Sequence, residues 1–216
     1  MNMDPIYMYE LCYQSRNIQH PLNPNLIKAA DKNDETGVNS ALSCGANVNA
    51  RETVTGRTAL HIAASNGFDG ILRALLSYRP SLQTQDRDGN FPINLAAKHG
   101  HLKCVKMLMS QGSFAFIGNK EFKNPLMLAA ENGHFNIVEY LLNNKIKMFY
   151  QLNKMHESEL TLASKNGHLE IVRILLETAN SNIDRQKELN EALRLAVDET
   201  NLEVAELLIA AGANIE

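Results

Sequence analysis

The sequence predicts an all-α fold built as a solenoid, in which about six short helix pairs stack one behind another. A block that reads as an apolar helix, a turn and a second apolar helix recurs along the chain, and glycine stands at most of the turns. An alanine of the first helix recurs in steps of 33, 33, 34 and 33 residues. These alanines are Ala63, Ala96, Ala129, Ala163 and Ala196, and Ala29 lies one further step back.

Within each block the apolar residues follow helical spacing. Leu60, Ala63 and Ala64 fall on one face of the first helix, and Ile71 and Leu75 fall on one face of the second. The small alanines allow neighbouring helices to approach closely. Because one helix pair cannot bury both of its faces alone, each unit needs a neighbour.

The turns and helix starts carry local signals of the same kind. Glycine at the turn tolerates a left-handed backbone, and the asparagine or histidine before it suits a tight corner. Asn124 followed by Pro125, and Ser158, are typical of helix starts. The turn glycines are Gly67, Gly100, Gly133 and Gly167, and the residues before them are Asn66, His99, Asn132 and Asn166.

The period and these motifs resemble the ankyrin-repeat family. Residues 58–63 read Thr-Ala-Leu-His-Ile-Ala, which is similar to the family's Thr-Pro-Leu-His-x-Ala signature with alanine in place of proline. Residues 45–50 and 212–215 are similar to the family's loop ending, and the resemblance covers roughly residues 22–216. It implies finger-like β-turns between repeats, a concave face and a structural hydrogen-bonding role for His61.

We expect an N-terminal segment at residues 1–21, followed by the repeats. The segment carries Asp4 and Pro5 before an apolar and aromatic stretch, which predicts a short helix covering the open end of the stack. The alternative is a peptide that docks on a partner. The predicted repeats span residues 22–52, 53–85, 86–118, 119–152, 153–185 and 186–216.

The two end repeats differ from each other. The first has Asn33 at the turn and a polar second helix, which is typical of an end repeat that faces water. In the sixth, Leu207, Leu208 and Ile209 are not typical of a polar cap. We therefore expect the natural chain to continue beyond residue 216 with more repeats or another domain.

Composition narrows the class of protein. The net charge of −3 gives no basic field for nucleic acid, and no apolar run is long enough to span a bilayer. The first residues lack the pattern of a secretory signal. Three widely spaced cysteines, Cys12, Cys44 and Cys104, argue against a disulfide framework and favour a reducing compartment. We expect a cytoplasmic location, or the cytosol of a host cell for a secreted effector.

Candidate catalytic and metal motifs are weak. His99, His101 and Cys104 have a spacing that metal ligands can adopt, but His101 recurs at the same place in later repeats and Cys104 falls on an apolar helix face. The sequence holds no glycine-rich phosphate loop, no HExxH and no GxSxG motif. We therefore predict no catalytic residue, no metal and no cofactor, and a protein that is not an enzyme.

The resemblance implies that a partner binds through the finger tips and the exposed side of the first helices. The charges there have mixed signs, which favours a specific protein surface over a phosphate backbone. The predicted positions are Val54, Thr55, Arg57, Ser65, Asn66, Arg87, Asp88, Asn90, Lys98, His99, Lys120, Glu121, Lys123, Glu131, Asn132, Lys154, Met155, Glu157, Lys165, Asn166, Asp198 and Glu199.

Aromatic residues occupy positions that are polar or glycine in other repeats. Phe114, Phe116, Phe149 and Tyr150 lie in the loops after second helices, and Phe122 stands where earlier fingers have glycine. One interpretation is that neighbouring fingers pack these rings against each other. The other is a hot spot for a partner.

The sequence therefore predicts a monomeric, non-enzymatic module that binds another protein, with no nucleic-acid binding and no membrane insertion. We expect it to be the N-terminal part of a larger intracellular or host-directed effector. The alternatives are a stand-alone adaptor or inhibitor, the substrate-recruiting domain of an enzyme whose catalytic part lies beyond residue 216, and a purely structural spacer.

Overall fold

The computed structural model describes residues 22–144, 152–178 and 185–214. These residues contain twelve helices, which follow one another as pairs joined by short turns. The helices are α1 (Asn23–Asp31), α2 (Glu35–Ser43), α3 (Ala59–Asn66), α4 (Asp69–Ser77), α5 (Pro92–Lys98), α6 (Leu102–Ser110), α7 (Pro125–Glu131), α8 (Phe135–Asn143), α9 (Glu159–Lys165), α10 (Leu169–Thr178), α11 (Arg185–Asp198) and α12 (Leu202–Ala210).

The helices form two layers. The first helix of each pair, from α1 to α11, packs against the first helix of the next pair, and the second helices, from α2 to α12, do the same. Alanines such as Ala63, Ala96 and Ala129 are fully buried, so the first helices approach each other closely. The predicted all-α repeat solenoid is confirmed, and the exact number of repeats stays a prediction.

The turns and caps follow the predicted pattern. The four turn glycines have φ angles between 71° and 82°, in the left-handed region where glycine is favoured. Asn124 accepts a hydrogen bond from the backbone N–H of Met127 at the start of α7. Ser158 accepts one from Thr161 at the start of α9. Each cap satisfies an amide that the helix cannot bond internally.

Short turns project between successive helix pairs, and we number these fingers after the predicted repeats. They are finger 2 (residues 52–57), finger 3 (86–90), finger 4 (119–123) and finger 5 (153–157). Each of fingers 3 to 5 closes on one side chain, which accepts two hydrogen bonds from backbone N–H groups of its own turn. These side chains are Asp86, Asn119 and Asn153.

Backbone hydrogen bonds tie each finger to the next. The N–H of Arg87 donates to the carbonyl of Thr55 at 2.8 Å, and the N–H of Lys120 donates to Asp88 at 3.1 Å. Finger 5 joins finger 4 in the same way, because the N–H of Lys154 donates to Glu121. The fingers therefore form a continuous row.

The last helix pair departs from the implied pattern. Helix α11 has 14 residues, whereas α9 has seven, and its first turns occupy the place of a finger. Residues 185–190 contain good helix formers and neither proline nor glycine, so the helix extends into this segment. Among the residues that the structure describes, finger 5 is therefore the last of the row.

The two end repeats differ in their surroundings. Asn33 takes the left-handed turn of the first repeat, as its place in the pattern predicts. In the sixth repeat Leu208 is buried, Leu207 packs on the core and Ile209 is exposed, and the expected continuation of the chain stays a prediction. The N-terminal segment 1–21 lies outside the described residues. No helix in the described ranges is long and apolar enough to cross a membrane.

Candidate functional site

A groove of about 480 Å3 lies between the fingers and the first helices of the middle repeats. Fingers 3 and 4 form one wall, and the carboxyl-terminal ends of α5, α7 and α9 form the other. The lining is polar, and its one apolar member, Leu128, is itself buried. The lining residues are Asp88, Asn90, Lys98, Asn119, Lys120, Glu121, Lys123, Leu128, Glu131, Asn132 and Asn166.

A salt bridge joins the two walls of this groove within the fourth repeat. The Nζ atom of Lys123, in finger 4, lies 2.8 Å from Glu131 on α7 and 3.5 Å from Glu121. Burial opposes the charge on Lys123, but the hydrogen bond to Glu131 and the two carboxylates outweigh it and raise its pKa. Lys123 is therefore held in its charged form.

The fifth repeat has the same bridge with the charges reversed. Glu157 lies in finger 5 at the position of Lys123, and Lys165 lies on α9 at the position of Glu131. Their charged atoms are 3.2 Å apart. The same link between finger and helix is thus made by opposite charges in neighbouring repeats.

Arg57 and Asn90 are predicted partner residues that also support finger 3. The guanidinium of Arg57 lies 3.4 Å from the carboxylate of Asp86, which is almost fully buried. Asn90 is buried; its side-chain NH2 group donates to the carboxylate of Asp86, and its side-chain oxygen Oδ1 accepts from the side-chain amide of Asn119 at 2.9 Å. These bonds hold finger 3 to its neighbours.

The other predicted partner residues differ in exposure. Those that are exposed are Val54, Asn66, Arg87, Asp88, Lys98, His99, Lys120, Glu121, Asn132, Lys154, Met155, Asn166, Asp198 and Glu199, and those that are half-buried are Thr55, Ser65, Lys123, Glu131, Glu157 and Lys165. The structure brings nine of the predicted residues together in the groove: Asp88, Asn90, Lys98, Lys120, Glu121, Lys123, Glu131, Asn132 and Asn166.

The aromatic residues lie in two separate settings. The rings of Phe114 and Phe116 pack on each other with centroids 5.4 Å apart, and both remain exposed. Phe122 is exposed at the tip of finger 4, with the ammonium of Lys154 at 5.6 Å from its ring centroid. Phe149 and Tyr150 lie outside the described residues. Both interpretations of the aromatic residues therefore stay open.

Sequence reasoning missed two residues of the groove, Asn119 and Leu128. Asn119 has the position of Asp86 in the preceding finger, so the repeat alignment contains the signal for its turn-forming role. Leu128 reads as an ordinary core residue, and no pattern indicates that its edge reaches a groove.

His61 and His101 have structural roles. In the helix cap of α3, Nδ1 of His61 accepts from the backbone N–H of Thr58, and Nε2 donates to the carbonyl of Asn90 at 3.1 Å. Burial lowers the pKa of His61 to about 4, so the ring is neutral. Nε2 of His101 lies 3.0 Å from the carbonyl of Ser65 in the preceding repeat.

The candidate metal motif is not assembled. His101 is bound to the preceding repeat, and Cys104 is buried, which raises its pKa to about 11. Over the ranges that the structure describes, no three histidine, cysteine or acidic side chains come together as a metal site.

Comparison with known proteins identifies the repeats. The sequence matches the family model described as ankyrin repeats (3 copies) in three overlapping stretches, residues 26–118, 71–153 and 126–216. A search of curated proteins found no match. Ankyrin repeats are generally non-catalytic modules that bind other proteins. Together with the stacked helix pairs and the fingers, this match shows that the chain belongs to the ankyrin-repeat family.

Proposed function

We propose that the chain binds another protein in the groove between fingers 3 and 4 and the ends of α5, α7 and α9. The observation that carries this proposal is the polar lining itself, which is contributed by three successive repeats. Lys98 and Asp88 are exposed there, and so is Lys120, whose ammonium also donates to the carbonyl of Arg87 at 2.6 Å. Exposed charged side chains of this kind can bond a partner.

The charge of the lining favours a protein over a nucleic acid. The three lysines, Lys98, Lys120 and Lys123, are matched in number by the three acids, Asp88, Glu121 and Glu131. A phosphate backbone requires an excess of cations. A groove with balanced charges fits the mixed polar surface of a protein, where charge complementarity selects the partner.

The reversed salt bridges provide a test of the groove. The double variant K123E/E131K reproduces the arrangement that the fifth repeat already uses, with the acid in the finger and the lysine on the helix. We expect its melting temperature to fall by no more than about 4 °C, because the bridge is retained but K123E also places a second carboxylate beside Glu121. We expect partners captured from cytosol by the unchanged chain to be lost, because two of the six charges in the groove exchange places.

The matched control exchanges a salt bridge in the other helix layer. Asp69 on α4 and Lys103 on α6 are paired there, and D69K/K103D inverts that pair without touching the groove. This control variant is expected to capture the same partners as the unchanged chain. If K123E/E131K also captures them, the groove is not the binding site.

The wider setting of the module remains a prediction. A larger intracellular or host-directed effector, a stand-alone adaptor or inhibitor, and the substrate-recruiting domain of an enzyme would each use such a groove. The full open reading frame and the identity of the captured partner separate these three settings.

A further inference from the structure

The tip of finger 4 carries a bulky residue in a backbone conformation that disfavours it. Phe122 has a φ angle of 61°, in the left-handed region. The same position is Gly56 in finger 2 and Gly89 in finger 3, with φ angles of 70° and 79°. A large side chain in this region is strained, and such strain is concentrated at functional sites.

The strain does not serve to bury the ring. Phe122 is 51% exposed, and Met155, at the tip of the neighbouring finger, is 73% exposed. The two tips are adjacent, because the backbone N–H of Lys154 donates to the carbonyl of Glu121 at 3.0 Å. Two large apolar side chains are thus presented to solvent from neighbouring fingers.

A cation lies beside this apolar surface. The ammonium of Lys154 is 5.6 Å from the centroid of the Phe122 ring and, within the described part of the chain, forms no salt bridge. The nearby carboxylate of Glu121 lies 3.5 Å from Lys123 instead. The positive charge of Lys154 is therefore available to an external anion.

We propose that Phe122, Lys154 and Met155, here called the tip patch, form an anchoring site for a partner segment in which an acidic residue adjoins a large apolar one. This inference rests on the proposed function and names the chemistry that the partner presents. The apolar side chain of the partner packs on Phe122 and Met155, and its carboxylate pairs with Lys154.

The chain offers a matched pair of variants for the test. His156 occupies the Phe122 position in finger 5, with a φ angle of 60°. Both F122G and H156G relieve the left-handed strain, so we expect each to melt at the same temperature as the unchanged chain or up to about 4 °C higher. Only F122G removes an apolar side chain from the tip patch.

The probe is a displayed library of random 15-residue peptides selected on the unchanged chain. We expect selected peptides to contain an acidic residue next to a large apolar one. Their affinity should fall about tenfold or more in F122G and stay unchanged in H156G. Replacing the acidic residue of the peptide by its amide, Asp by Asn or Glu by Gln, should weaken binding to the unchanged chain. The same replacement should have little effect on binding to K154Q, because K154Q already lacks the ion pair that the replacement removes.

Two results would overturn the tip patch. The selection could yield no binding peptide, or the selected peptides could bind F122G as tightly as they bind the unchanged chain. Binders that K123E/E131K weakens and F122G leaves unchanged would refute the tip patch and support the groove. The failure of this inference is thus distinguishable from the failure of the proposed function.

Discussion

The imidazole of His101 packs against Gly67 of the preceding repeat. A Cβ atom at Gly67 would lie 2.5 Å from Nδ1 of His101, whose Nε2 is 3.0 Å from the carbonyl of Ser65. Glycine is therefore needed here for two reasons, the left-handed backbone and the space that the ring occupies. The same arrangement joins His134 to Gly100 and His168 to Gly133.

Replacing Gly67 by alanine should destabilise the protein by about 2–4 kcal/mol, because backbone strain and a steric clash act together. Gly112 separates the two contributions, since it has a φ angle of 88° and nothing within 4 Å of an added Cβ. We expect G112A to lose only about 1 kcal/mol. Urea denaturation measures both, and equal losses would contradict the packing of His101 on Gly67.

Thr200 takes the place of the turn glycine in the sixth repeat. It is exposed and has a φ angle of 61°, which is strained for a β-branched residue. We expect T200G to stabilise the protein by about 1 kcal/mol. N33G, at the same place in the first repeat, should gain less, because asparagine tolerates this conformation. A gain for N33G as large as that for T200G would refute the argument.

Ser164 should be replaceable with a gain in stability. Its hydroxyl is fully buried, and no described residue bonds it. The equivalent residues Ala64, Ala97 and Ala130 are buried alanines. We expect S164A to raise the free energy of unfolding by about 1 kcal/mol, because an unsatisfied polar group is removed. Thermal and chemical denaturation measure the change.

A loss of stability is expected for the alanine variant of Ser158, six residues earlier. Ser158 caps α9, and S158A should lose about 1 kcal/mol because the backbone N–H of Thr161 loses its acceptor. If S164A also lowered the free energy of unfolding, the buried hydroxyl of Ser164 would have to form a hydrogen bond in solution.

His61 should make stability depend on pH. Its pKa is lowered from 6.5 to about 4 in the folded protein, so the unfolded chain takes up the proton first as the pH falls. The neutral ring makes its full contribution to the free energy of unfolding above pH 6.5, and this contribution is lost progressively as the pH falls towards 4. The free energy of unfolding decreases by about 3 kcal/mol over this range. Urea denaturation between pH 7.5 and pH 4.5 measures it.

H61N is the matched control for this titration. In the next repeat Asn94 makes the two equivalent contacts without a titratable group. Its side-chain oxygen accepts from the backbone N–H of Phe91, and its NH2 group donates to the backbone carbonyl of Lys123. We expect the difference in stability between the unchanged chain and H61N to shrink or reverse as the pH falls below 6.5. A difference that is constant with pH would exclude His61 as the titrating group.

Much of the fold follows from local signals in the sequence. The spacing of Ala63, Ala96 and Ala129 predicts the stacking of first helices, and the cap residues Asn124 and Ser158 predict where α7 and α9 begin. Residues 186–190, where the repeat pattern implies a further finger, are helical instead, because this segment is rich in good helix formers and contains neither proline nor glycine.

The candidate site is only partly predictable. Repeat alignment places Asp88, Lys98 and Lys120 on one surface, as observed. It cannot show which charges are already paired, since the bridge between Lys123 and Glu131 depends on how a finger lies over a helix. Nor does alignment alone show that Phe122 keeps the left-handed backbone of Gly56 and Gly89.

The reversed bridges, Lys123 with Glu131 and Glu157 with Lys165, have a consequence for how such a protein diversifies. Either orientation secures a finger to its helix, so paired substitutions can rewrite the pattern of charge along the surface while the scaffold keeps its stability. The charge that the surface presents and the stability of the scaffold are thereby separable, because side chains can be exchanged within a single repeat without loss of the bridge.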